Sequence, residues 1–68
     1  MSIGHAIKVR RAIVEISQVK LAKAVGVNQS YISMIENGDQ IPSTDLLQKI
    51  SVALRCKPED LTLWSQAA

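Results

Sequence analysis

The chain has 68 residues and a net charge of +2; apolar residues make up 47% of it, with one Tyr, one Trp and no Phe. That length fits one domain and buries a limited share of its surface, so the core must be aliphatic and economical, or completed by a second subunit. A single cysteine, Cys56, excludes an intramolecular disulfide framework and a Cys-built metal cluster; with no charged-then-apolar leader and no apolar run near the ~20 residues of a membrane span, a reducing cytoplasm is expected.

In chain order, the sequence is a series of short helical segments separated by turn residues, and no segment has the sustained alternation of a strand. Ser2 caps a first predicted helix running to about Ile16, with Ile3, Ile7 and Val14 at helical spacing. Ser17 caps a second, Gln18 to Val25, with Leu21, Ala22 and Val25 on one face and Gly26 supplying the positive φ that ends it. Asn28 caps a third, Gln29 to about Asn37, with Ile32 and Ile35 inward and Gly38 as its stop. Pro42 and Ser43 open a fourth helix through Leu54, with Leu47, Ile50 and Leu54 inward. Pro58 suits the first turn of a short fifth helix that carries Leu61. The expected fold class is all-α, with five helices in one domain covering residues 1–68.

Charge is unevenly spread. Lys8, Arg10, Arg11, Lys20 and Lys23 face only Glu15 in the first third, whereas Lys49, Arg55 and Lys57 are outnumbered later by Glu36, Asp39, Asp45, Glu59 and Asp60. A basic end suits phosphates, although a solvated helix face would look similar.

Function shows most clearly between Ser17 and Gly38. The second and third helices, joined by a short Gly-containing turn that Val27 plugs, form a helix-turn-helix over about residues 17–37. Such a pair projects its second helix, which is sized for the major groove of B-DNA. The outward positions of that helix are Gln29, Ser30, Ser33, Met34 and Asn37, where an ordinary surface helix would carry Lys and Glu. Amides and hydroxyls read base edges, Gln pairing with adenine N6 and N7, and a thioether lies well against a thymine methyl.

The joint pattern Ile3-Gly4, Ile7, Arg11, Ser17-Gln18, Leu21-Ala22, Gly26-Val27, Tyr31-Ile32-Ser33, Ile35-Glu36-Asn37-Gly38, Pro42, Leu47, Ile50 and Ala53-Leu54 resembles the Cro/repressor-type (XRE) helix-turn-helix family. The resemblance runs from Ile3 to Leu61 and implies a compact, lambda-repressor-like five-helix domain that binds double-stranded DNA. It implies base contacts from Gln29, Ser30 and Met34, with Ser33 at the edge of that surface. It also implies phosphate contacts from Gln18 and from the turn at Asn37 and Gly38, and an ion pair between Arg11 and Glu36 that holds the third helix at its angle. Lys8, Arg10, Lys20 and Lys23 are phosphate candidates by charge. Three positions depart from the family pattern: Glu15 and Arg55 stand where relatives often have Gly, and Arg10 replaces a frequent Leu. The first of these implies a first helix that continues through its corner.

Other residues point to no chemistry. His5 has no companion ligand at metal spacing, Cys56 occupies a usually apolar position, and Ser17, Ser30 and Ser33 have no His base for nucleophilic catalysis. No catalytic, cofactor or metal site is expected. The apolar end Leu61, Leu63 and Trp64 exceeds what a five-helix core requires, and is the expected homodimer interface; Trp64 folded back as a core lid is the rival reading. The expected function is that of a sequence-specific, homodimeric transcriptional repressor reading an inverted-repeat operator. Two other readings stay open: an antitoxin or restriction-modification controller of the same fold with a protein partner, and a helical interaction module without DNA binding.

Overall fold

The computed structural model describes residues 2–66, with side chains up to Leu63. It contains α1 (Ile3–Ile13), α2 (Gln18–Val25), α3 (Gln29–Asn37), α4 (Thr44–Ala53) and α5 (Pro58–Gln66), and no strand among the described residues. Three of the helix starts are fastened by serine: Ser2, Ser17 and Ser43 Oγ accept from the backbone N–H groups of His5, Lys20 and Leu46 at 3.1, 3.1 and 3.2 Å. Asn28 holds the equivalent place before α3, but its side chain makes no capping bond there. At α5, Asp60 Oδ2 accepts from the Lys57 N–H at 3.0 Å, beside Pro58 at the first helical position.

The periodic apolar positions converge. Ala6 and Ile7 of α1, Leu21, Ala22 and Val25 of α2, and Ile32 and Ile35 of α3 meet Ile50 and Leu54 around α4 and Leu61 of α5 in one aliphatic core. Ile3, Val14, Val27 and Leu47 pack at its margin. α1 runs directly against the C-terminal end of α3 at Gly4, where an added Cβ would collide with the Ile35 carbonyl oxygen. Only a residue without a side chain lets the two backbones approach that closely. This packing holds α3 against the body by its Ile32–Ile35–Glu36 stripe and leaves its opposite stripe in solvent.

The first corner differs from expectation. α1 stops at Ile13 rather than continuing to about Ile16, and Glu15 takes a left-handed conformation with φ 58°. The Ile16 N–H donates to Arg11 O at 3.1 Å and the Glu15 N–H to Ala12 O at 3.2 Å, the paired bonds of a Schellman turn, and they bring Ile16 onto the core margin. Arg55 repeats the arrangement after α4, also at φ 58°, with Cys56 N–H donating to Ser51 O at 3.0 Å. Both positions therefore keep the backbone that glycine would favour while carrying a side chain, a conformation costing roughly 1–2 kcal/mol for an L-residue.

Candidate nucleic-acid interface

The connection from α2 to α3 is built by Gly26 at φ 79°, whose N–H and that of Val27 both donate to Ala22 O, at 2.9 and 3.0 Å. Val27 is half-buried beneath the turn and Asn28 starts α3. Of the residues expected to read bases, Gln29, Ser30 and Met34 are exposed and Ser33 is half-buried, so all four lie on or beside the outward stripe of α3. Asn37 and Gly38 are exposed at its far end, and Lys20 and Lys23 are exposed on α2.

A polar network ties this stripe to the interior. The Glu36 side chain is 2% exposed and faces Arg11 at 18%. Arg11 Nε donates to Glu36 Oε2 at 2.9 Å and Nη2 to Oε1 at 3.2 Å, a two-pronged pair of the kind guanidinium geometry favours, and Nη1 donates to Ile16 O at 3.1 Å. Gln18 Nε2 adds a third bond to Glu36 Oε1 at 3.0 Å, and Gln29 Nε2 donates to Gln18 Oε1 at 3.4 Å. A continuous path thus links the α1 corner to the first turn of the exposed helix. Sequence reasoning paired Arg11 with Glu36 but missed Gln18 as the link. The available signal was the position of Glu36, four residues after Ile32 on the buried stripe, where a carboxylate needs more than one donor.

Three expectations change in this setting. Arg10, a phosphate candidate by charge, donates from Nε to Leu54 O at 2.9 Å and from Nη2 to Arg55 O at 3.0 Å. It secures the end of α4, where carbonyls left without helical partners attract a cation. At Asn37 and Gly38 a backbone contact to phosphate was expected, yet the Gly38 N–H donates to Ile35 O at 3.2 Å, and those of Asp39 and Gln40 to Met34 O at 2.8 and 3.3 Å. The Asn37 side chain at this corner is exposed. Leu61, expected at a dimer interface, is fully buried in the core, because its place on α5 faces α1 and α4. Leu63 is 61% exposed, and the side chain of Trp64 lies outside the described residues. Ile41 and Val52, at 82% and 77% exposed, are further apolar surface residues not singled out from sequence.

Cys56 is half-buried at the end of α4; burial pushes its thiol pKa up, with the Arg10 guanidinium opposing the shift. A thiol in that state is a poor nucleophile. Among the described residues no cluster of His, Cys, Asp or Glu is suited to hold a metal ion, and no helix is long and apolar enough to cross a membrane.

Residues 7–61 match the family described as helix-turn-helix. The HTH-type transcriptional regulator YgzD of Bacillus subtilis is 42% identical over 57 residues, covering 84% of this chain and 86% of that protein. The ImmF control region 10 kDa protein of Bacillus phage phi105 is 38% identical over 52 residues, or 76% of this chain. The chain spans 58% of that phage protein and 41% of an HTH-type transcriptional regulator of Mycobacterium tuberculosis. Among solved structures, the c2 repressor of phage P22 bound to a synthetic operator superposes with a TM-score of 0.84 at 36% identity, covering 90% of this chain and 92% of that one. The five-helix, lambda-repressor-like architecture and the helix-turn-helix at α2–α3 are the same, and the chain belongs to the XRE-type helix-turn-helix family.

Proposed function

We propose that the chain is a sequence-specific, duplex-DNA-binding transcriptional regulator that represses by occupying its operator, with no catalytic step. The observation that carries this reading is the outward stripe of α3: Gln29, Ser30, Ser33 and Met34 present two hydroxyls, an amide and a thioether, none charged, on a helix whose opposite stripe is fixed in the core. Direct readout in the major groove needs this combination of hydrogen-bonding groups on a rigid element. Gln18 keeps one amide N–H beyond its bond to Glu36, and with Lys20, Lys23 and Asn37 it forms the phosphate-facing rim. The c2 repressor of phage P22, a relative solved in complex with a synthetic operator, supports duplex DNA as the partner.

The reading includes a dimer. One subunit carries a single α3 and so reads one major groove, whereas successive major grooves on one face of B-DNA lie roughly 34 Å apart. A two-fold pair places an α3 in each groove and doubles the bases read, and Leu63 is the described candidate for its interface. The test is duplex binding measured across a salt series, on random DNA and on a site enriched from a random library. Binding that weakens linearly with the logarithm of salt, together with a preference for the enriched site lost in Gln29→Ala, supports the reading. Binding insensitive to both salt and sequence refutes it.

A further inference from the structure

We infer that Glu36 is a positioning residue for base reading: its carboxylate sets the polarity of Gln18, and through it favours one of the two orientations in which the Gln29 amide offers its acceptor and donor. The inference builds on the reading of Gln29 as a base contact.

A carboxylate and an amide differ in what they offer a neighbour. A glutamine side chain has a donor end and an acceptor end of nearly the same size, and its terminal torsion is broad, so a solvated Gln turns over at little cost. An ionised carboxylate only accepts. Glu36 is held in place by two N–H groups of Arg11, at 2.9 and 3.2 Å, and with its side chain 2% exposed it has no water to turn towards. The neighbouring Gln18 must therefore direct Nε2 inward, where it donates to Glu36 Oε1 at 3.0 Å, and Oε1 outward. That oxygen in turn selects the donor end of Gln29, whose Nε2 lies 3.4 Å away. Gln29 is exposed and this outer bond is the loosest of the chain, so its orientation depends on the inner two.

The consequence concerns the base. A glutamine reading adenine accepts from N6–H and donates to N7, and adenine presents these groups in a fixed order along the groove. With Nε2 drawn towards Gln18, the acceptor Oε1 lies on the side away from α2. Reversal would offer the groups in the opposite order and forfeit the two-point match. A buried charge two hydrogen bonds from the surface thus favours one of two amide orientations before DNA arrives, in the manner of a supporting shell behind a binding residue.

Two measurements test this. In the first, affinities of wild type, Glu36→Gln, Gln18→Met, the double variant and Gln29→Ala are compared on an enriched site and on copies altered at each base pair in turn. At the base pair where Gln29→Ala abolishes discrimination, Glu36→Gln is expected to lower it by about tenfold, Gln18→Met to do the same, and the double variant to do no more. Discrimination at the other positions stays at the wild-type level. A uniform loss at all positions, or a loss tracking only the folded fraction, would mean a merely structural Glu36 and overturn the inference. If Gln29→Ala changes no position, base reading by Gln29 fails first and the inference falls with it, a distinguishable result. The second measurement needs no variant: in labelled wild-type protein free of DNA, scalar coupling across the hydrogen bond is expected from Gln18 Nε2 to the Glu36 carboxylate carbon. A folded protein without that coupling overturns the assigned polarity.

Discussion

Replacing Arg11 by Met separates the cost of breaking a buried ion pair from the value of the pair itself. The guanidinium supplies two of the three hydrogen bonds that Glu36 receives and a further one to Ile16 O. Without it, a carboxylate 2% exposed keeps one neutral amide donor. Leaving one partner of a buried pair unmatched costs about 3–5 kcal/mol, and the 18% exposure of Arg11 places this case near 3. For a domain of this length the total stability is roughly 3–10 kcal/mol, so Arg11→Met should lose a large share of it and lower the Tm by roughly 12–24 °C. Glu36→Leu should cost less, about 1–2 kcal/mol, because Arg11 lies closer to solvent and still holds Ile16 O. The double variant removes both charges and should fall close to Glu36→Leu alone, leaving a coupling energy of about 3 kcal/mol. Thermal and urea denaturation followed by circular dichroism measures all four corners of the cycle. A coupling near zero, or an Arg11→Met protein within about 0.5 kcal/mol of wild type, would show the pair to be solvated and the argument from burial to be wrong.

The remaining predictions concern backbone, packing and the thiol. Glu15→Gly and Arg55→Gly should each raise stability by about 0.5–1 kcal/mol, since release of left-handed strain outweighs the flexibility added to the unfolded chain; a loss of stability on urea denaturation would contradict this. Gly4→Ala should destabilise by about 2–3 kcal/mol in the same assay, because its Cβ meets the backbone carbonyl of Ile35 and either α1 or α3 must shift. Cys56 should react slowly with a thiol reagent at neutral pH and faster as pH rises above the ordinary thiol range, because burial favours the neutral form; rapid labelling of folded protein at neutral pH would contradict it.

The two helices of the helix-turn-helix were legible because their boundaries are written in local chemistry, with Ser17 at the start and Gly26 and Gly38 at φ values that few other residues accept. The end of α1 was not, since Glu15 occupies a glycine-like backbone without being glycine, and the bonds that hold it there show only in three dimensions. Charge counting placed Arg10 with the phosphate contacts because a sequence does not reveal that the α4 carbonyls lie beside it. Leu61 and Leu63 were grouped as one apolar end, although two residues along a helix point to nearly opposite sides, and one of them is buried. The outward stripe of α3 was readable from residue types alone; its connection through Gln18 to Glu36 is tertiary and was not.

Selection of bound duplexes from a random library tests the central claim most directly. Two-fold reading by α3 predicts enrichment of an inverted repeat whose half-sites are centred about 10 base pairs apart, with the strongest preference at the positions that Gln29→Ala erases. A library that emerges unenriched, or enriched identically by wild type and Gln29→Ala, would contradict it.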